Sequence, residues 1–189
     1  MKRSHVFDPA HIEILESEER KLWQKPDEIL GAVEFERNWI AADLGCGSGY
    51  FTVPLAYRVK KVYAIDVQKE MLGFLEQKIK KLGVKNIVLL KSKQNEIPLD
   101  DGSVDFLMTV NTLHEFGDRA KMIQEMKRVL TQRGVLLIVD FKKENTGFGP
   151  PVSIRVAKER AVNLFEDNGF KLKNEKDLPY DYLLVFVKA

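Results

Sequence analysis

Short apolar runs alternate with longer stretches of helical period along most of the chain, beginning at Trp39. The run from Val135 to Val139 contains no polar residue, which is typical of a strand that is buried on both faces of a sheet. Because the two patterns alternate, we expect a parallel sheet with helices on both faces. The predicted strands are 39–44, 61–66, 86–91, 104–110 and 134–141, and the predicted helices are 50–58, 68–82, 118–131 and 153–168.

The N-terminal segment, residues 1–34, has an amphipathic helical pattern instead. Pro26 suits the first turn of a second short helix, because an N–H at that position would have no partner within the helix. We interpret this segment as a helical cap that belongs to the same domain as residues 35–189. Its apolar positions, which lie among acidic and basic residues, are Ile12, Leu15, Leu22 and Trp23.

The C-terminal part predicts a hairpin. Beyond Gly169, the segments 170–175 and 182–188 have strand character, and the turn-prone sequence Asp177-Leu-Pro-Tyr-Asp181 separates them. We therefore expect the last two strands to pair with each other.

Composition and charge exclude several classes of protein. Thirty Lys and Arg against 28 Asp and Glu give a formal net charge of +2 without a strongly basic block, so charge does not indicate nucleic-acid binding. No apolar run approaches the ~18 residues of a membrane span. The single cysteine, Cys46, cannot form an internal disulfide, and charged residues occupy the N-terminal stretch where a signal peptide would be apolar. We expect a cytoplasmic protein.

A glycine-rich segment, Asp43-Leu-Gly-Cys-Gly-Ser-Gly, lies where the first predicted strand ends and a helix begins. Its glycines are Gly45, Gly47 and Gly49. Backbone without side chains lets a ligand approach main-chain N–H groups, and the following helix N-terminus favours a negative group such as a carboxylate. The alternative is that the glycines only form a tight turn. The third glycine of a dinucleotide motif is missing, because Tyr50 or Thr52 occupies its place, which disfavours a nicotinamide-dependent oxidoreductase.

Asp66 ends the second predicted strand. It follows Gly49 by 17 residues (66 − 49), close to the ~20-residue spacing at which such an acid meets a ribose. A carboxylate there can accept hydrogen bonds from both ribose hydroxyls. The alternative is a capping role for the helix that is predicted to start near Gln68.

Three motifs together carry a resemblance to a known family. They are the glycine segment at 43–49, Asp66, and Ile97-Pro-Leu-Asp-Asp-Gly-Ser-Val-Asp105. Over residues 35–189 the chain resembles class I S-adenosylmethionine-dependent methyltransferases, most of all the type 11, ubiquinone/menaquinone-methyltransferase-like group. The resemblance implies a Rossmann-like α/β fold whose seven-stranded sheet has the order 3-2-1-4-5-7-6, with strand 7 antiparallel. It also implies S-adenosylmethionine as the cofactor and S-adenosylhomocysteine as its product.

The same resemblance implies a set of cofactor-binding residues. Asp66 would bind the ribose, Val67 would pack beside the adenine, and the glycine segment would lie against the methionine end. Where relatives often have an acid near the adenine amino group, this chain has Lys93, which cannot accept a hydrogen bond, so Gln94 or main-chain groups become the candidates. The full set is Asp43, Gly45, Gly47, Gly49, Asp66, Val67, Gln94 and Asn111.

The segment Asn111-Thr-Leu-His-Glu-Phe116 follows the fourth predicted strand, at the edge of the sheet where open α/β folds bind ligands. His114 is the candidate catalytic residue, because its ordinary pKa lies near working pH and it could take a proton from an acceptor. The alternative is that His114 and Glu115 orient the loop or cap the next helix. Aromatic residues of the N-terminal half, Phe7, Trp23 and Tyr50, are candidates for a lid or for ordinary core packing.

Motifs that are absent narrow the acceptor. The segment at 111–114 differs from the Asn/Asp-Pro-Pro-aromatic run that marks methyltransferases of base amino groups, and no Pro-Cys dipeptide of the cytosine-C5 type occurs. Asn111 stands where a metal-dependent catechol-type enzyme would have an acid, so we expect no metal. The leading hypothesis is methyl transfer to a small-molecule acceptor that is held in line with the sulfonium. The alternative is a non-catalytic S-adenosylmethionine-binding regulatory or accessory protein. The oligomeric state is left open.

Overall fold

In the computed structural model, which describes residues 7–189, seven strands form one sheet. The strands are β1 (Ile40–Leu44), β2 (Lys61–Asp66), β3 (Ile87–Lys91), β4 (Val104–Val110), β5 (Leu130–Phe141), β6 (Phe170–Asp177) and β7 (Asp181–Lys188). Their order is β3-β2-β1-β4-β5-β7-β6; β1 to β5 pair in parallel, and β7 is antiparallel to both of its neighbours. The predicted fold class and strand order are confirmed.

Two apolar cores lie on opposite faces of this sheet. The helices are α1 (Ile12–Leu15), α2 (Glu18–Trp23), α3 (Pro26–Leu30), α4 (Thr52–Ala56), α5 (Lys69–Leu82), α6 (Arg119–Val129) and α7 (Lys158–Glu166). Helices α3, α4 and α5 cover one core, and α6 and α7 cover the other. Successive residues of β4 enter alternate cores, with Phe106 in the first and Leu107 in the second. Within residues 7–189, no helix is both long enough and apolar enough to cross a membrane.

The N-terminal segment is more broken than its pattern predicts. A 3-10 turn (Pro9–His11), α1 and α2 replace a continuous helix before Pro26. The Ser17 hydroxyl accepts the N–H of Arg20, which caps α2 and separates it from α1. Leu22 is 76% exposed, so this apolar position does not pack against the sheet. Residues 1–6 of the predicted cap lie outside the described residues.

Buried hydrogen bonds join the end of α2 to the sheet. Gln24 Nε2 donates to Asp181 Oδ2 (2.8 Å), and Gln24 Oε1 accepts from Arg20 Nε (2.8 Å). The Tyr50 hydroxyl donates to the main-chain oxygen of Gln24 (3.0 Å). Because Gln24 is fully buried, losing any of these partners would leave a polar group unsatisfied in the interior. Buried hydrogen bonds therefore hold the end of α2 against the start of β7 and against the segment that follows β1.

Three predicted boundaries are wrong. β5 begins at Leu130 and not at 134, because Leu130 pairs with Val104 of β4. Gly134 lets the chain pass close to Leu130, where a Cβ at 134 would lie 2.8 Å from that side chain. α7 begins at Lys158 and not at 153, because the guanidinium of Arg155 hydrogen-bonds to the preceding loop and holds this stretch out of the helix. The helix predicted over 50–58 is limited to α4.

The burial of Phe106 in β4 leads to a prediction about the stability of the protein. Phe106 is fully buried, and its ring meets that of Phe35 edge-on at 4.9 Å. We expect Phe106→Ala to lower the free energy of unfolding by about 3 to 5 kcal/mol, measured by urea denaturation followed by circular dichroism. The matched control is Phe74→Ala on α5, where the phenylalanine is 42% exposed and the change should stay within about 0.5 kcal/mol. Equal losses for both variants would contradict the assigned core.

Candidate active site

A cavity of about 610 Å³ lies at the carboxyl ends of the parallel strands. This volume is within the range of ~300 to 1,000 Å³ that is usual for small-molecule sites. One side is formed by the loops after β1, β2, β4 and β5, and the other by residues of the N-terminal helices, including Ile14 and Trp23. Every predicted site residue except Gly49 lines this cavity. The topology thus brings together residues that are up to 71 positions apart (114 − 43).

The glycine segment needs its glycines for steric reasons. Gly45 has a φ of +76°, and a Cβ there would collide with the side chain of Thr112. Gly49 has a φ of +81°, and a Cβ there would collide with Leu75 of α5. Because both positions combine a left-handed backbone with close neighbours, side chains are excluded from them. Gly49 therefore packs against Leu75 of α5 and does not line the cavity, whereas the main chain at Gly45 and Gly47 does.

Asp66 connects this loop to the next helix. Its Oδ2 accepts the main-chain N–H of Gly47 (3.0 Å), and its Oδ1 accepts that of Gln68 (2.8 Å) just before α5. Burial raises the pKa of Asp66, although these two hydrogen bonds work in the opposite direction. The helix-end role weighed from the sequence is therefore present, together with a second bond to the glycine loop. Each carboxylate oxygen still has a further lone pair for a ligand.

Two more acids near the cavity have raised pKa values. Asp43 is buried beneath the glycine loop, where its Oδ2 accepts the hydroxyl of Thr52 (2.6 Å), and burial raises its pKa to about 7. Burial also raises the pKa of Glu115 to about 7, while its Oε1 accepts the N–H of Phe7 (3.0 Å). Neutral donors satisfy both carboxyl groups, so a positive ligand group would favour their ionised forms.

Asn111 has the least ordinary backbone of the site. Its φ of +55° is the only positive value at a non-glycine position in residues 7–189. The main-chain N–H donates to Val139 of β5 (2.8 Å), which fixes the residue at the cavity wall. Its Oδ1 is buried and has no hydrogen-bond partner among the described residues. A left-handed asparagine with an unsatisfied oxygen that borders a cavity is suited to accept a hydrogen bond from a ligand.

The adenine-side candidates differ in their positions. Val67 is partly exposed and lines the cavity, as does Gln94. The side chain of Lys93 is 80% exposed, and its Nζ pairs with Glu96 Oε2 at 3.0 Å. Lys93 is thus directed into solvent. The residue that departs from the family pattern does not line the cavity.

His114 forms a buried pair with Asp140 at the end of β5. Its Nδ1 lies 2.7 Å from Asp140 Oδ1, and its main-chain N–H donates to Asp140 Oδ2 (2.9 Å). Burial lowers the pKa of His114, but the charge and the hydrogen bond of Asp140 outweigh it, so the pKa lies above its usual value. The second ring nitrogen, Nε2, is left for a group in the cavity that His114 lines.

Residues before α2 close the cavity through polar contacts that the sequence did not reveal. The main-chain oxygen of Phe7 accepts Gln68 Nε2 (2.7 Å), and Glu16 Oε1 accepts both the Ser48 hydroxyl (2.5 Å) and Lys78 Nζ (2.7 Å). The sequence around Glu16 gives no reason to assign it to the site, because it is one glutamate among many charged residues. Only folding brings it to the glycine loop. Within residues 7–189, no cluster of three or more His, Cys, Asp or Glu side chains is arranged to hold a metal ion.

Comparison with known proteins assigns the family. A family model described as "Methyltransferase domain" matches residues 42–138, which is just over half of the chain. The chain belongs to the type 11 family of S-adenosylmethionine-dependent methyltransferases. Its predicted family, enzyme class and cofactor are confirmed.

Individual relatives agree with this family. A crystal structure of an S-adenosylmethionine-dependent methyltransferase from Aquifex aeolicus is 32% identical, with a TM-score of 0.92 over 97% of this chain and 100% of that one. A demethylmenaquinone methyltransferase of Geobacillus stearothermophilus is 28% identical over 121 residues, which is 62% of this chain and 51% of the relative. The chain thus spans about half the length of the curated demethylmenaquinone methyltransferases it matches.

The cavity of this methyltransferase fits S-adenosylmethionine in charge, and its volume of about 610 Å³ is that of a small-molecule site. The cofactor carries a positive sulfonium and a positive ammonium group. The acids around the cavity, Asp43, Asp66 and Glu115, receive hydrogen bonds only from neutral donors and have raised pKa values, so they suit a positively charged ligand. The unsatisfied Oδ1 of Asn111 and the glycine loop without side chains add an acceptor and space.

The His114–Asp140 pair predicts a pKa change. Asp140→Asn removes the charge that raises the pKa of His114, whereas burial, which lowers it, remains. We expect the pKa of His114 to fall below its ordinary value. Proton NMR titration measures this, and loss of one signal in His114→Gln assigns the resonance among the three histidines of the chain. An unchanged or higher pKa in the Asn variant would show that Asp140 does not control the imidazole.

Asp66 predicts a change in cofactor affinity. Charge-assisted hydrogen bonds contribute about 1.5 to 3 kcal/mol, so Asp66→Ala should weaken S-adenosylmethionine binding by roughly tenfold to 150-fold in calorimetric titration. The control is Asp167→Ala, which removes an exposed acid after α7. Thermal denaturation of both variants separates lost contacts from a disturbed glycine loop. Unchanged affinity in the folded Asp66 variant would remove Asp66 from the cofactor site.

Proposed function

We propose that this chain transfers a methyl group from S-adenosylmethionine to a small-molecule acceptor, with His114 as the general base. The observation that supports this most directly is the buried His114–Asp140 pair, which lines the same cavity as the glycine loop and Asp66. A histidine whose ring is oriented by a buried carboxylate is the arrangement that general-base catalysis uses. When bound, S-adenosylmethionine supplies an activated methyl group on its sulfonium.

The order of the strands separates the proposed cofactor end from the proposed acceptor end. Asp66 ends β2 and Asp140 lies near the end of β5, and the sheet order places these strands three positions apart. At ~4.8 Å per strand, the two ends are about 14 Å apart across the sheet. In the proposal, Asp66 accepts the ribose hydroxyls, Val67 and Gln94 border the adenine, and Asn111 accepts a hydrogen bond near the middle of the cavity.

His114 is proposed to accept a proton at Nε2. Asp140 holds the ring through Nδ1 and stabilises the imidazolium that forms, because the carboxylate is buried and lies 2.7 Å away. The acceptor atom loses its proton to His114 as it becomes nucleophilic. Since only neutral imidazole can accept this proton, activity should rise with pH through the raised pKa of His114.

Residues of the N-terminal helices are proposed to exclude water. Phe7 is hydrogen-bonded through its main chain to Gln68 and Glu115, and Trp23 borders the cavity from α2. A dry cavity strengthens the interaction between His114 and Asp140 and keeps the nucleophile from being solvated. Orientation of the acceptor then provides most of the remaining acceleration.

The alternative of a non-catalytic binding protein rested on Lys93. Because that lysine points into solvent and pairs with Glu96, it gives no reason to expect weak cofactor binding in the cavity. The deciding experiment incubates the protein with methyl-labelled S-adenosylmethionine and a cell metabolite extract, and then identifies the labelled product by mass spectrometry. Demethylmenaquinone is included because a relative is named for it. Cofactor binding without label transfer to any compound would favour the non-catalytic alternative.

With the labelled acceptor in hand, His114→Gln tests the base. We expect the turnover number to fall by about 10²- to 10⁴-fold, because the proton acceptor is lost. The affinity for S-adenosylhomocysteine, measured by calorimetry, should stay the same. The control is Lys121→Gln on α6, because Lys121 is exposed and does not line the cavity. Wild-type turnover in His114→Gln would end its catalytic role.

A further inference from the structure

Arg155 is a buried cation that the proposed mechanism does not use. It is only 3% exposed, and it forms no ion pair with an acid among the described residues. All of its side-chain hydrogen bonds go to one loop, 142–150. Nε donates to Pro150 O (2.8 Å), one terminal nitrogen donates to Lys142 O (3.2 Å), Glu144 O (2.8 Å) and Thr146 Oγ1 (3.0 Å), and the other donates to Phe148 O (2.6 Å).

This loop reaches the cavity. It follows β5 and brings Phe148 and Pro150 to the cavity wall. Gly149 has a φ of +83°, and a Cβ there would lie 2.9 Å from the ring of Phe141, so the loop packs directly on that ring. The Arg155 guanidinium lies over the same ring at 5.2 Å from its centre. One side chain thus shapes the loop and supports the aromatic residue next to Asp140.

Phe141, Phe148 and Trp23 form what we call the aromatic wall. Trp23 lies 5.2 Å from Phe148 and 6.3 Å from Phe141, measured between ring centres. Phe141 meets the ring of His114 edge-on at 6.1 Å. The wall therefore adjoins the proposed base and belongs to the β5 end of the cavity, away from Asp66.

We propose that Arg155 is a positioning residue that determines acceptor binding by holding the aromatic wall in place. The inference rests on the proposed function, because it takes the β5 end of the cavity as the acceptor end. Loops that bind ligands need a rigid support, and here that support is one planar guanidinium with several donors in fixed directions. Lysine has a single flexible ammonium group and cannot reproduce these bonds. The wall itself suits an uncharged, apolar surface of the acceptor.

The test measures both ends of the cavity in Arg155→Met and Arg155→Lys. The acceptor-end probe is N-phenyl-1-naphthylamine, a neutral fluorescent compound, and energy transfer from Trp23 in a Trp39→Phe background reports its position. The cofactor-end probe is S-adenosylhomocysteine, titrated by calorimetry. Hydrogen exchange over 142–149 reports the order of the loop.

We expect Arg155→Met to weaken binding of the naphthylamine by about tenfold, to increase exchange across the loop, and to leave the affinity for S-adenosylhomocysteine unchanged. Arg155→Lys should give smaller changes in the same direction and remains informative if the Met variant does not fold. With an acceptor from the label experiment, the KM for the acceptor should rise while that for S-adenosylmethionine stays the same.

The matched control is Arg128→Met. Arg128 also holds a loop, through Ile97 O and Leu99 O, but none of these three residues lines the cavity, so its loss should not change the binding of either probe. Parallel losses at both ends in the Arg155 variants, or unchanged loop exchange and probe binding, would overturn the inference. Failure of the wild-type chain to methylate any acceptor would contradict the proposed function alone, because probe binding and loop exchange still decide the role of Arg155.

Discussion

The site depends on one carboxylate, that of Asp66, which joins three elements at the carboxyl edge of the sheet. It ends β2, accepts the N–H of Gly47 in the loop after β1, and accepts the N–H of Gln68 before α5. These bonds hold the glycine loop against the start of a helix, which leaves its main chain facing the cavity. Because parallel strands all end at the same edge, this connection brings the loop after β1 and the end of β2 together at the cavity.

At the β5 end of the cavity, buried side-chain contacts of Asp140 and Arg155 hold the residues in place. Asp140 holds both the ring and the main chain of His114, and Arg155 holds the loop that packs on Phe141. The Asp66 end of the cavity is thus formed by the backbone of the glycine loop and the carboxylates of Asp43 and Asp66, whereas the β5 end is formed by the His114–Asp140 pair and the loop that Arg155 holds.

Much of the fold could be predicted, and the errors have identifiable causes. Alternating apolar runs and helical stretches predicted β1 to β5, and the turn-prone sequence at 177–181 predicted the final pair, β6 and β7. The start of β5 was missed because Leu130 follows a helical pattern without a break and only pairing with Val104 makes it a strand. The start of α7 was missed because hydrogen bonds from Arg155 to the preceding loop override a local helical preference.

The sequence by itself determined the order of the elements and the positions of the glycine loop, Asp66 and His114. The elements, Asp66 and His114 follow from local patterns and spacing, and the glycine loop follows from positions where a Cβ cannot be accommodated. Only the tertiary structure decided that His114 is paired with Asp140 and that Asn111 has a buried, unsatisfied oxygen. It also decided that Glu16 bonds to Ser48 of the glycine loop and to Lys78, and that Lys93 faces solvent. The physical reason is that these properties arise from contacts between residues far apart in the chain, and neither spacing nor composition records such contacts.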